Sequence, residues 1–193
     1  MDQQDELGRL IDRHATEDGV HPTGIPRLSL VRASRATEPL HRLYAPELCI
    51  FAQGKKEVFL GEEVYLCDRE QHLVVSVDLP VIGQIVEAEP EKPYLALQLD
   101  LDPAVLGELM VEAKMDAANG RHPDSGLTLS PNTPELLDAS IRLLRLLETP
   151  RDIGILAPSP SGRSFTGSSP EIRATSCARL RSPMASSGRW AGR

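Results

Sequence analysis

Five histidines, three cysteines and a few closely set lysines and acids are the residues of this 193-residue chain able to do chemistry, if the fold gathers them. A transition-metal site needs three or four His, Cys or carboxylate ligands converging at fixed spacing. His14, His21, His41, His72 and His122 offer no pair separated by one residue or by a helical turn, so no metal site is expected. His41 and His72 remain able to line a cavity. No G-x-S-x-G elbow is present, and Ser76 in "VVSVD" lies in strand-like text rather than on a turn into a helix. Cys49 has no base near it in sequence. "AQGKKEVFLG" has too few glycines for a phosphate loop and opens a strand, so Lys55 and Lys56 read as a solvated strand end. Asp100 and Asp102 precede a helix start, and capping accounts for Asp102. No catalytic constellation emerges, and neither enzyme activity nor a cofactor is expected.

The elements that position these residues are mostly strands. "DELGRLIDRHA" spaces Leu7, Leu10, Ile11 and His14 as one helix face, and "HPTGIP" breaks it. From Leu28 the text alternates: "RLSLVRAS", "ELCIFAQG", then "KKEVFLGEEVYLC" with a hairpin turn at Gly61-Glu62, then "HLVVSVDLP", "VIGQIVEA" and "PYLALQLDLD". About seven short strands, with no helix between them long enough for a crossover, predict an antiparallel barrel or sandwich. Asp102 caps and Pro103 opens a helix whose apolar face is Val105, Leu106, Leu109 and Met110. After a polar loop, Thr133 caps and Pro134 opens a second, with Leu137, Ile141 and Leu144 at helical spacing. That stripe is wide enough to face the core or to pair with a second copy of the chain.

Charge divides the chain. Residues 157–193 hold six Arg and one acid, a net of +5, whereas residues 1–156 carry −12 within the overall −7. The acidic body repels nucleic acid, and the unpatterned basic end is no folded DNA reader; specific DNA binding by the chain as written is not expected, only weak, salt-sensitive contact. The acidic start has no signal-peptide character, no apolar run reaches a membrane span, and the odd cysteine count (Cys49, Cys67, Cys177) fits reduced thiols; a cytoplasmic location follows as the expectation.

Three phrases, "LCIFAQGKKEVFLGEEVYLCD", "HLVVSVDLPVIGQIVEAEPEKPYLALQLDLDPAVLGELM" and "LLRLLETPRDIGILAP", resemble the N-terminal sensor domain of AraC-type bacterial transcription regulators. The resemblance implies a cupin-like β-barrel (jelly roll) over residues 28–156 followed by helices, with residues 1–27 as an N-terminal arm and helix. It also implies a small-molecule effector and a homodimer. In that family two helix-turn-helix units follow. Here the text after "ILAP" turns to "SPSGRSFTGSSPEI", and residues 157–193 read as a disordered Ser/Arg/Pro-rich tail. Read one base out of frame, "RSFTGSSPEIR" becomes "ILYRLLTGDP", which has the family's helical spacing. The tail from about Ser159 is therefore expected to be an out-of-frame product that cuts the regulator short of its DNA-binding half.

Alternation along barrel strands nominates Cys49, Phe51, Tyr65, Val75, Val77, Leu97 and Leu99 as interior, with Gln84, Gln98 and His72 as polar partners for a ligand. The plainer expectation is a solid barrel filled by the apolar members. Leu137, Ile141 and Leu144 are the dimerisation candidates. The rival readings are a metal-dependent enzyme on the same barrel, distinguished by the ligand set missing here, and a stand-alone binder of small molecules.

Overall fold

The computed structural model describes residues 2–102, 126–151 and 153. Helix α1 (Gln3–His14) is followed by β1 (Gly19–Pro22), β2 (Leu28–Ala33), β3 (Leu40–Tyr44), β4 (Glu47–Gln53), β5 (Lys55–Leu60), β6 (Glu63–Cys67), β7 (Gln71–Val75), β8 (Leu79–Glu87), β9 (Tyr94–Asp100) and β10 (Leu127–Pro131). Helix α2 (Pro134–Arg145) and a 3-10 turn (Leu146–Glu148) close the described order. The helix expected from Asp102 to Met110 and the tail from residue 157 lie outside the described residues; Asp102 itself accepts a hydrogen bond from Arg27 at 2.6 Å.

Among the described residues every strand pairing is antiparallel, in two sheets: six strands in the order β1-β2-β9-β4-β7-β10, and four in the order β3-β8-β5-β6. The antiparallel class is as expected, but the two sheets are separately paired rather than joined into one closed ring. The hairpin at Gly61-Glu62 joins β5 and β6, pairing Leu60 with Glu63. Three strands escaped the sequence reading: β1, β3 and β10 are all short, and β1 and β3 carry little alternation of hydrophobicity.

Successive side chains of a strand point to opposite faces, and here both faces of the six-stranded sheet are covered. On one side α1 and α2 lie over it. Leu7, Leu10 and Ile11 of α1 and Leu137, Ile141 and Leu144 of α2 pack onto Leu28, Leu30, Ile50, Ala52, Leu95 and Leu97. Thr133 caps α2, its hydroxyl accepting from Leu136 N–H at 3.2 Å, and Pro134 takes the first turn, where its missing N–H costs nothing. At the surface the ion pair Arg145–Glu6 ties α2 to α1, and Arg13–Glu148 ties α1 to the 3-10 turn after α2. The segment before Leu28 is thus part of the body, through α1 and through β1 on β2.

On its other side the sheet faces the four-stranded sheet. Tyr44, Cys49, Phe51, Val58, Cys67, Leu73, Val75, Val81, Tyr94 and Ala96 fill that space. One glycine is indispensable to the arrangement. Gly54, between β4 and β5, has φ 77°, and a Cβ there would lie 2.5 Å from the Glu87 carbonyl and 2.9 Å from Tyr94 Cα.

Candidate functional site

Between the sheets the packing is incomplete. A cavity of about 180 Å³ is walled by Val31, Leu40, Tyr44, Ile85, Tyr94 and Ala96, with Glu47, Cys49, Lys56 and Gln98 as its polar members. Its position follows from strand parity. In β4 the residues alternating with the helix-facing Ile50 and Ala52 are Glu47, Cys49 and Phe51; in β9 they are Tyr94, Ala96 and Gln98. From the opposite sheet β3 supplies Leu40, Arg42 and Tyr44, and β5 supplies Lys56. Lys55 and Lys56 therefore part company. Lys55 is outside and paired with Glu87 at 2.8 Å, while Lys56 enters the cavity.

Glu47 is 5% exposed, an unusual place for a carboxylate. Both oxygens are engaged: Oε1 accepts from the Cys49 thiol at 3.3 Å and Oε2 from the Gln98 amide. Burial pushes its pKa up, against the opposing pull of Cys49, Lys56 and Gln98. The Lys56 ammonium stands 5.1 Å from the centre of the Tyr44 ring. Burial is the largest single influence on it and acts to lower its pKa, but Tyr44, Cys49 and Glu47 together outweigh burial and hold the amine protonated. Burial raises the pKa of Tyr44 and, further, those of Cys49 and Tyr94; the Cys67 thiol beneath is pushed up to about 12. The Tyr44 hydroxyl is buried, with the Lys56 ammonium as its polar neighbour. Gly83 makes room for this pair: a Cβ there would meet Lys56 Cε and Tyr44 Oη, each at 3.3 Å.

Two larger depressions lie outside. One of about 480 Å³ beside α1 is lined by charges already matched, including Lys55 with Glu87 and Arg69 with Asp2 and Asp5. The other, of about 520 Å³, is a shallow groove over His41, Leu43 and Phe59. The cavity between the sheets is smaller, but of these three hollows it is the one where polar side chains from both sheets converge, and convergence is what distinguishes a binding site from a surface hollow.

Of the residues nominated from sequence, Cys49 and Gln98 line the cavity. Phe51 is fully buried against Tyr94, ring centres 6.4 Å apart, and belongs to the packing beside it. Gln84 borders the cavity, but it alternates with the inward Val81, Gly83 and Ile85 and pairs with Glu57, so its side chain belongs to the outer face of its sheet. Tyr65 packs at the edge of the inter-sheet core and donates to Glu63. His72 pairs with Ile50 and alternates with the inward Leu73, which sets it on the helix side of the sheet. Leu97 and Leu99 likewise face the helices, and Val77 is 51% exposed; these three are corrections to the expected interior. Leu137, Ile141 and Leu144 are occupied by this chain's own core. Glu47, Lys56 and Tyr44 were missed, although Lys56 shares its strand parity with the apolar Val58 and Leu60, a signal visible in "KKEVFL".

Residues 24–160 match the profile of the AraC-type transcriptional regulator N-terminus. The chain belongs to this family. Solved structures with similar folds include an apo variant of ToxT from Vibrio cholerae, 6% identical, covering 69% of this chain and 56% of that one with a TM-score of 0.43. A second ToxT structure is 11% identical over 61% of this chain and 46% of that one, with a TM-score of 0.40. A cupin-2 domain protein from Shewanella frigidimarina is 9% identical over 52% of this chain and all of that one, with a TM-score of 0.33. The chain spans about half the length of the ToxT structures. No match was found among curated proteins. As an AraC-type N-terminal domain, the chain is regulatory in kind. Among the described residues no cluster of three His, Cys, Asp or Glu is placed to hold a metal ion, and no helix is long and apolar enough to cross a membrane.

Proposed function

We propose that this AraC-type domain senses a small molecule in the cavity between its sheets, without catalysing a reaction on it. The supporting observation is the set Glu47, Lys56, Gln98 and Tyr44, which brings charged and hydrogen-bonding groups of both sheets to one cavity. Binding rather than catalysis is favoured because the groups are poised to stay as they are. The thiols are held far above neutral pKa and the lysine stays charged, so neither supplies a ready nucleophile or base at neutral pH.

In this reading the domain works in the cytoplasm as part of a transcription regulator, and its other partner is a second copy of the chain. A helix-turn-helix region carried by the whole protein would read the DNA. Size-exclusion chromatography with light scattering tests the pairing: a dimer is expected, and a monomer at high concentration overturns it. The sensing itself is tested by screening small metabolites for thermal stabilisation of the wild type and of Ala96→Met, which fills the cavity. Ala96 is 2% exposed and lines the space. Compounds that stabilise the wild type and not the variant support the reading; compounds that stabilise both place the binding site elsewhere.

A further inference from the structure

Among the described residues the six-stranded sheet ends in β1 and β10, and the four-stranded sheet in β3 and β6. Proline, which cannot donate to a ladder and so guards an edge, closes β1 and β10 as Pro22 and Pro131. At β3 it only flanks, as Pro39 and Pro46, and the strand itself carries neither proline nor lysine. Among the described residues β3 is hydrogen-bonded along one side, to β8. Two hollows meet on it. Arg42 and Leu43 line both the cavity between the sheets and the outer groove of about 520 Å³, so the free edge runs between two spaces. Leu40 and Arg42 share the inward parity of Tyr44, and Arg42 lies opposite the buried Val81. Leu40 is nevertheless 41% exposed, as is Val20 of β1, at 44%, which lines the same cavity. On the outward parity Leu43 is 71% exposed, in the groove with Phe59. Arg42 belongs to none of the ion pairs among the described residues.

We propose that the free edge of β3 is a docking site for an extended segment of another protein, which pairs with Leu40–Tyr44 as an added strand. Its outward side chains are apolar, and an inward carboxylate is set against Arg42. The proposal goes beyond the sensing reading and stands without it. Pairing gives partners to the backbone groups along the edge, and the alternating side chains of the added strand enter the two hollows already there. In the outer groove Leu43, Phe59, Pro80 and Ile82 favour apolar residues. On the inner side Arg42 favours a carboxylate, because unlike charges stabilise a cross-strand pair and like charges oppose it. A second copy fits less well. Laying β3 on the β3 of its twin about Arg42 sets guanidinium against guanidinium. The wanted pattern does occur in β6, where Glu63 shares the parity of Leu60 and the exposed Val64 and Leu66 point outward. Pairing β3 with β6, however, is head-to-tail and extends without closing.

The test titrates the full chain with the peptide acetyl-VTVEVTV-amide, followed by NMR and amide hydrogen exchange. Shifted signals and slowed exchange are expected at Leu40–Tyr44. In a strand the N–H groups of the valines and those of the alternate residues point to opposite edges. Of two N-methylated probes, one modified at the valines and one at the other positions, one should keep its affinity and the other lose about tenfold or more, the scale of several backbone hydrogen bonds. Lysine in place of the probe's glutamate should weaken binding about twofold to fivefold, and Arg42→Glu, at an exposed position, should reverse that order. Equal binding of the two methylated probes overturns the added strand. A glutamate preference that persists in Arg42→Glu overturns the charge assignment. Shifts centred on β6 or on the buried cavity residues, or no shift at millimolar probe, overturn the docking site. Protection of the β3 amides that grows with protein concentration in the absence of probe makes a second copy the occupant and overturns the proposed partner.

Discussion

The two faces of the six-stranded sheet are built from the same strands and have opposite characters. Toward the helices, β2, β4 and β9 present Leu28, Leu30, Ile50, Leu95 and Leu97, and the helices answer with leucine and isoleucine. Toward the other sheet, β4 and β9 present Glu47, Cys49, Phe51, Tyr94, Ala96 and Gln98, against Tyr44 and Lys56. One face is aliphatic and closely filled. The other mixes aromatic, thiol and charged groups around an open space. Burying Glu47 and Lys56 opposes stability unless their polar atoms are satisfied, so the polar face is maintained at the expense of the fold and the aliphatic face has to make up the difference.

The most severe way to break this comparison is to truncate the aliphatic side. Leu97→Ala removes a side chain 1% exposed, and a loss of about 2–5 kcal/mol is expected in urea denaturation. The matching change across the sheet, Cys49→Ala, borders a space already open and is expected to cost about 1 kcal/mol. Equal losses would mean that the faces do not differ in packing. Next in size is Gly54→Ala, at the strand end that serves both faces. The positive φ and the approach to the Glu87 carbonyl predict a loss of about 1–3 kcal/mol, read in the same experiment; an unchanged midpoint would show that the β4–β5 connection relaxes freely.

A finer comparison comes from pH. Glu47 has a folded-state pKa above its ordinary 4.5, so it favours the fold at low pH, and that advantage is lost as pH rises through the raised value. The stability of the wild type relative to Glu47→Gln should therefore fall between pH 4 and pH 8. A difference that stays flat or rises would mean that Gln98, Cys49 and Lys56 fully compensate the burial. The smallest effect concerns the thiols. Cys67, at about 12, and Cys49, also raised, favour the folded state up to the ordinary thiol value near 9.0 and lose that advantage above it. At pH 8 neither should react with Ellman's reagent until the protein is unfolded. Rapid labelling of either in the native state would show that the inter-sheet space opens readily.

How much of this was legible in the sequence depends on what each pattern reports. Helix α1 was readable from Leu7, Leu10 and Ile11, and the start of α2 from Thr133-Pro134, because capping and apolar spacing are local. The hairpin at Gly61 was local too. The cavity was not. Alternation separates buried from exposed positions, and in β4 "ELCIFAQ" and β9 "YLALQLD" both sets are buried or half-buried, leaving nothing to tell one interior from the other. That is why Leu97 and Leu99 were assigned to the wrong side. Lys56 was overlooked because a lysine beside another lysine reads as solvated, whereas the pleat sends Lys55 outward and Lys56 inward.

By itself the sequence determined the antiparallel class, the capped start of α2, the hairpin, the family and the poverty of metal-ligand and nucleophile spacing, since each of these is carried by residues near one another in the chain. Only the tertiary structure decided that Glu47, Lys56, Tyr44 and Gln98 meet. They stand on four strands in two sheets, and it is the stacking of those sheets, with α1 and α2 claiming the opposite face, that turns their alternation into a site.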